Sequence, residues 1–514
     1  MQLVWFKRDL RILDHAPLAE AARQGPCLGL FVFEPSVWRQ PTMDRAHFDF
    51  VLASLIELRT RLEALGGQLV LRLGEMVEVL EQLQATQPIT ALYSHQETGD
   101  AVTFARDRAV AAWAQRTGIP WHEFRQSGVI RRLPSRDGWA ERWESFMRSP
   151  VIPAPRELKP PSGFELERTD FLRRLGEAAP IAPDDLGVAG ASRPLAQDGG
   201  MLAAQALVRS FLQSRGRDYR QRMGQPEPAA EACSRLSPHL AWGTISARQA
   251  YHAARARLAE LESLPRSEEN RAWQASLASF EARLAWRCHF MQKLEDEPAI
   301  EHHNMCRAYD GLREGHFDED AFEAWKAGQT GYPLVDACMR AVAATGWLPF
   351  RMRAMVTAFA AYDLWLPWQR PAAHLARMFL DYETGIHYAQ IQMQSGTTGI
   401  NALRMYDVTK QARDCDPDGH FIRRWVPELA ELPLEHLHAP WELPPLTRLL
   451  VGGGPAYPAP IVDRRAAVQR ARAGFAAVRA RPETAAAAAA VLERHGSRRS
   501  GDSRVFQPGN RPKT

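Results

Sequence analysis

An α/β domain with a parallel, Rossmann-like sheet, followed by a larger all-helical domain, is the architecture this sequence predicts. Three observations predict it. Residues 1–128 alternate short apolar runs with stretches of helical periodicity, the pattern of a parallel sheet covered by helices on both faces. Residues 129–200 shift to proline, glycine and charge, as in SPVIPAPRELKPPSG. Residues 201–480 are dense in alanine, leucine, arginine, tryptophan and methionine at helical spacing, with few strand-like runs. A chain of 514 residues is also too long for one ordinary domain.

In the first domain, strands are expected at LVWF (3–6), CLGLFVF (27–33), QLVLRL (68–73), ITALYSH (89–95) and WHEF (121–124). Helical periodicity falls between them, at 15–24, 44–65, 75–86 and 99–117. The first strand is followed by FKRDLR where a dinucleotide fold carries GxGxxG, and no GxxxxGK[ST] occurs. The sheet is thus of Rossmann type without its nucleotide fingerprint, and no phosphate site is expected at that turn. Residues 129–200 read as a connector draped over the surface rather than built into a core. Asp463–Arg494, with six consecutive alanines at 485–490, reads as one alanine-rich surface or packing helix. Residues 495–514 read as a basic flexible tail, carrying Arg498, Arg499, Arg504, Arg511 and Lys513 against Asp502.

Composition excludes several classes. Every candidate apolar run is broken by a charge before it could span a bilayer, and Lys7, Arg8 and Asp9 interrupt any secretory signal. The six cysteines are scattered without a CxxC pair, which argues against a zinc ribbon, an iron–sulfur cluster or a disulfide framework. No metal is expected. Net charge is +4 and the tail accounts for it, so any nucleic-acid surface must be a local patch. The chain is expected to be soluble, cytoplasmic and monomeric.

The most informative stretch is Thr330–Leu429, which reads TGYPLVDACMRAVAATGWLPFRMRAMV, then FLDYETGIHYAQIQMQSG, then DPDGHFIRRWVPEL. Isolated ionisable groups sit there in otherwise apolar helices, and a packed core tolerates them only with a partner or a ligand. Arg351, Arg353, Asp381 and Glu383 therefore read as the lining of a ligand pocket. In CSRLSPHLAWGTIS (233–246), Ser237 and Pro238 read as the N-cap and first turn of a helix. Such an end attracts phosphate, although an ordinary cap has the same signature.

These strings, together with VWFKRDLRILDHAPLAEA at the N-terminus, resemble the cryptochrome/photolyase family over about residues 1–480, closest to a photolyase-like subgroup shared by bacteria and plants. The resemblance implies an N-terminal antenna domain and a helical domain that binds FAD, with a second antenna chromophore of unknown identity. It implies that Arg353 and Asp381 flank the isoalloxazine ring, with Glu383 where relatives have aspartate. Ser234 and Ser237 match the pyrophosphate-binding string, in which Cys233-Ser234 replaces the usual Thr-Ser, and Tyr219 matches a tyrosine beside the phosphate–ribose region. Trp286 and Arg287 resemble a pair in which the arginine approaches the FAD phosphates and the tryptophan borders the substrate cavity. Arg351 matches a phosphate-contacting arginine, and Arg404 one at the cavity rim.

Other positions depart from the family pattern. His387 stands where many relatives place asparagine opposite flavin N5, and reads as a donor or proton source there. Ile391 and Met393 replace two tryptophans, one that starts an electron-transfer chain and one that stacks on the damaged base. The middle tryptophan of that chain is kept as Trp368, the outer one is missing near Gly315, and Trp347, Trp365, Tyr388 or Tyr406 are candidate substitutes. Arg283 replaces a glutamate common in pyrimidine-dimer enzymes. The function implied is light-driven repair of pyrimidine dimers by electron transfer from reduced FAD, with DNA as partner. A cryptochrome-type blue-light receptor is the alternative, and a flavoprotein without a light role a third.

Overall fold

A computed structural model of the chain describes residues 1–162, 181–315, 317–444, 457–499 and 502–505. Five parallel strands form the N-terminal sheet: β1 (Gln2–Phe6), β2 (Cys27–Phe33), β3 (Leu69–Leu73), β4 (Ala91–His95) and β5 (Trp121–Phe124). Their order is β3-β2-β1-β4-β5. Val4 of β1 pairs with Gly29 on one side and Tyr93 on the other. Alternation along each strand divides the sheet between two cores. Leu3, Trp5, Leu28, Leu30 and Val32 face helices Met76–Thr86 and Ala101–Thr117. Val4, Phe6, Phe31 and Phe33 face helix Arg45–Ala64 and also reach Trp242 and Leu380 of the helical part. One sheet face therefore doubles as a docking surface. All strands and helices expected in this region are present, with ends moved by at most two residues.

The region expected to be a surface connector contains helix Trp139–Arg148, whose Trp139, Trp143 and Met147 are buried. They pack with Tyr251 and Leu284 in a core of the helical domain. The reason is their spacing: residues four apart share a helix face, and three large apolar groups there outweigh the polar composition around them. The expected alanine-rich helix is two, Arg464–Arg479 and Pro482–His495. Pro482 begins the second because its ring cannot continue the first. The tail also starts differently. His495 is fully buried and its Nε2 lies 2.5 Å from Glu297, while Arg498–Arg499 pairs antiparallel with Asp502–Val505. Residues 506–514 of the expected flexible tail lie outside the described residues.

The helices that matter for the site are Glu268–Asp296, Pro333–Thr345, Phe350–Ala358, Gln369–Met378 and Thr384–Ser395. Glu268–Asp296 and Thr384–Ser395 approach closely at Gly385, where an added Cβ would stand 2.7 Å from Met291 Cα. The two domains meet as tightly at Gly243, whose φ is +71° and whose missing Cβ would lie 2.2 Å from the Arg8 carbonyl oxygen. Only glycine fits a left-handed residue at such a distance. Asp14 also crosses the junction, accepting from Arg248 Nε at 3.1 Å. Among the described residues, no helix is long and apolar enough to cross a membrane.

Candidate functional site

The helical domain encloses a cavity of about 720 Å³, a size that buries a cofactor-sized ligand. On its inner wall Arg353 and Asp381 form a bidentate pair, Nη1–Oδ1 and Nη2–Oδ2 both at 2.8 Å. Arg353 Nε donates to the Leu348 carbonyl at 2.7 Å, and the guanidinium lies 4.1 Å over the Phe379 ring. The fork is therefore fixed in one plane. Burial opposes ionisation of Asp381, but Arg353 and a hydrogen bond from Ser237 outweigh it and hold the carboxyl below its ordinary value. Glu383 goes the other way: burial pushes its pKa up despite Arg287 beside it.

Ser237 is the first residue of the short helix Ser237–Ala241, not its N-cap, and Leu236 holds the cap position without a side-chain bond. The Ser237 hydroxyl is turned toward Asp381 instead of capping the helix. Arg235 just before it adopts φ +60° and covers the Trp347 ring at 4.1 Å. Tyr219, Ser234 and Ser237 all line the cavity. Arg287 lines it too, with its charge shared: Nη2 donates to Glu383 at 2.7 Å and to the Leu240 carbonyl at 2.9 Å.

His387 is buried in the cavity wall, but not as the donor expected. Its Nε2 lies 2.8 Å from the Ala372 carbonyl, an acceptor, so Nε2 carries the proton. Burial lowers the ring pKa to about 4. A neutral ring protonated at Nε2 leaves Nδ1 as an acceptor.

At the mouth, Trp286 and Phe350 are 45% and 40% exposed, large values for aromatics on a folded domain. Arg283 lies 4.4 Å over Trp286 and 5.7 Å from Phe350. Arg351 is exposed at the same rim, beside Gly224. Two expected lining residues are elsewhere. Met393 is buried against Phe290 and Ala389 and does not line the cavity, although Ile386, seven residues earlier on the same face, does; Phe290 of the neighbouring helix packs against it instead. Arg404 is also outside the lining, which Tyr406 joins from the same segment. Trp368 is buried, donates from Nε1 to Asn304 at 2.7 Å, and lies 6.0 Å from the Tyr388 ring.

A second cleft opens where the carboxyl ends of β1, β2 and β4 meet the helical domain, lined by Trp5, Arg8, Glu34, Trp38, Arg106 and Trp242. It lies at the point where strand order reverses, the usual ligand position of such sheets. Beneath it, Asp9, His15 and His95 are close enough to hold a metal ion, but ring protonation opposes that. His15 Nδ1 accepts the Leu18 N–H at 3.1 Å, so a neutral ring has its proton on Nε2, 3.0 Å from Asp9. His95 Nδ1 lies 2.7 Å from the same carboxylate. The trio reads as a buried carboxylate held by the Lys7 N–H and by His95 Nδ1, both at 2.7 Å, with His15 Nε2 near it but not aligned for a hydrogen bond.

Comparison with known proteins identifies relatives of the whole chain. A family model described as DNA photolyase matches residues 2–133, and one described as the FAD-binding domain of DNA photolyase matches residues 280–477. The chain is 31% identical over 489 residues to a deoxyribodipyrimidine photo-lyase of Halobacterium salinarum, covering 90% of this chain and 96% of the relative. It is 30% identical over 486 residues to cryptochrome-1 of Sinapis alba, covering 90% and 93%. The crystal structure of a bacterial class III photolyase from Agrobacterium tumefaciens superposes with a TM-score of 0.78 at 25% identity, covering 93% of this chain and 97% of that one. A two-domain fold shared along nearly the whole length, an FAD-binding domain and this level of identity establish that the chain belongs to the photolyase/cryptochrome family.

Proposed function

We propose that this chain is an FAD-dependent, light-driven DNA photolyase-like enzyme that repairs UV-induced pyrimidine dimers. The observation that carries the proposal is the pairing of two surfaces in one cavity. Inside stands the fixed Arg353–Asp381 pair, and at the mouth an exposed aromatic and cationic rim of Trp286, Phe350 and Arg351. Such a rim suits an extruded base, which stacks on aromatic faces while its backbone meets cations.

The residues fit a flavin dinucleotide. Arg353 and Asp381 offer a cation and an acceptor to a ring bearing negative charge and N–H groups. Tyr219, Ser234 and Ser237 offer hydroxyls to ribose and phosphate. When bound, FAD supplies a light-excited electron to the lesion and takes it back. The chain's own part is positioning and electrostatics. Arg353 stabilises anionic charge where water is scarce, and His387 Nδ1 accepts rather than donates. Arg351 holds DNA phosphate in a salt-dependent, sequence-neutral way. The cleft at the sheet's carboxyl edge is the place for a second, antenna chromophore.

One observation favours the photoreceptor reading. Arg283 already covers a face of Trp286, occupying a surface on which a flipped base would stack. The deciding assay uses purified, prereduced protein under blue light with a thymine-dimer oligonucleotide. Restored thymine absorbance supports the enzyme. An unchanged dimer, with flavin bound and photoactive, supports the receptor.

A further inference from the structure

Helix Thr384–Ser395 carries two buried glutamines near its C-terminal end with opposite situations. Gln392 is saturated by backbone: its Nε2 donates to the Ile300 and His303 carbonyls at 2.7 and 2.8 Å, and its Oε1 accepts the Met305 N–H at 2.6 Å. Gln394 is 2% exposed and lines the cavity, yet neither its Oε1 nor its Nε2 has a hydrogen-bond partner. One turn earlier on the same face, Gln390 Oε1 is buried and unpartnered as well.

An amide buried with both ends unsatisfied is costly, and such groups in folded proteins call for an explanation. Local looseness does not supply one. The helix end is pinned by Gln392, by Arg313 Nη2 on the Ser395 carbonyl at 2.8 Å, and by Gly396 at φ +78°. An added Cβ at Gly396 would stand 2.5 Å from the Tyr362 hydroxyl. The backbone at Gln394 is therefore fixed, and its side chain borders the cavity with donor and acceptor both unpaired.

What it faces follows from its position. Arg353, Asp381 and His387 gather around the N-terminal end of this helix. Gln394 is seven residues beyond His387, about 10 Å along the axis on the same face. A primary amide presents a donor beside an acceptor, and its complement is a ring edge carrying an N–H beside a C=O. Among the ligands this cavity would take, the flavin ring and a pyrimidine base both have that edge, and the flavin's partners, Arg353 and Asp381, stand at the other end of the helix.

We propose that Gln394 is a specificity-determining residue that reads the base edge of the flipped lesion, accepting from its ring N–H and donating to its carbonyl. The inference rests on the photolyase reading and extends it to a named contact. A site built around a hydrogen-bonding edge discriminates strongly, since a ligand lacking the edge leaves the amide unpaired.

The test uses the full-length, FAD-loaded protein in the dark. Fluorescence anisotropy measures its affinity for a duplex with one thymine dimer, the same duplex with a (6-4) product, and the undamaged duplex. The wild type is expected to prefer a damaged duplex. Gln394→Leu is expected to lower damaged-duplex affinity about tenfold, with undamaged-duplex affinity and flavin absorbance unchanged. Gln394→Glu keeps the length and the acceptor but loses the donor. It is expected to show the same loss, and it serves as the test should the leucine variant fail to fold. Retained lesion preference in a folded variant overturns the inference and leaves the photolyase reading standing. Loss of FAD from a folded variant also overturns it, assigning the amide to the cofactor. A wild type that neither prefers nor repairs either lesion overturns both.

Discussion

Asp381→Asn isolates the electrostatic heart of the site. The carboxylate receives two guanidinium hydrogen bonds at 2.8 Å and one from Ser237. Opposite charges about 4 Å apart interact by about 4 kcal/mol at an effective dielectric of 20. Asparagine removes that attraction, keeps one acceptor, and sets an NH₂ against a guanidinium N–H. Removing one member of a fully buried pair costs about 3–5 kcal/mol. The Arg353 side chain, however, is 25% exposed, so water recovers part of the loss and about 2–3 kcal/mol is expected. Part of this appears in cofactor affinity, because the plane of the guanidinium is no longer imposed. The assay is equilibrium FAD binding to apo-protein, followed by flavin fluorescence, beside urea unfolding of the same variant. FAD affinity is expected to fall more than tenfold, with the secondary structure unchanged. Wild-type FAD affinity together with an unchanged urea midpoint would refute the reasoning.

Three further outcomes are expected. His387 stays neutral down to about pH 4 in the folded chain but titrates near 6.5 when unfolded. The unfolded state therefore binds more protons between those values, and about 3 kcal/mol of stability, complete above pH 6.5, is lost as pH falls toward 4; comparing urea midpoints of wild type and His387→Asn across that range measures its share. Photoreduction of oxidised flavin is expected to be slow, and Trp368→Phe to change it little, because Ile391 stands where the inner tryptophan is expected. Ile391→Trp is expected to speed photoreduction at an overpacking cost of about 1–3 kcal/mol, and stopped-flow absorbance under blue light is the check. Arg351→Ala is expected to weaken damaged and undamaged DNA binding alike and to reduce the log–log salt slope by about one, as read from a salt titration.

The fold was legible because its signals are periodic. Strand alternation and helical spacing reached the right elements from LVWF to WHEF, and the Arg353–Asp381 pair was legible because ionisable groups stand out in an apolar helix. What escaped was of two kinds. Helix Trp139–Arg148 had its signal in plain view, as large apolar residues at 139, 143 and 147, hidden by polar and proline-rich neighbours. Other features have no local signature. The tautomer of His387 depends on the Ala372 carbonyl, fifteen residues away in the chain. The displacement of Met393 depends on which face of its helix meets Glu268–Asp296. Arg287 likewise reads as a free cation until Glu383 is brought to 2.7 Å from it.

The largest such feature is a clamp on the segment that carries Asp381. Four carbonyls around it each accept from a distant side chain. Arg193 Nη1 donates to Met378 at 2.6 Å, His47 Nε2 to Phe379 at 2.8 Å, Trp242 Nε1 to Leu380 at 3.1 Å and Arg8 Nη1 to Tyr382 at 2.8 Å. His47 is itself fixed, with Nδ1 accepting the Asp44 N–H at 3.1 Å, which leaves its proton on Nε2 for Phe379. Trp242 is fixed by Trp38, stacked at 6.2 Å, and by Arg8, 4.3 Å over its ring. The segment's own backbone bonds are few, a turn closed by the Tyr382 N–H on the Phe379 carbonyl at 2.9 Å and the Leu380 N–H on the Gly346 carbonyl at 3.0 Å, so the four side-chain donors do much to fix its path beside the cavity. Two of the four, Arg8 and His47, belong to the α/β domain. That domain therefore shapes the floor of the cavity in the helical domain whether or not it holds a chromophore of its own, and the position of the Asp381 carboxylate is set by both halves of the molecule.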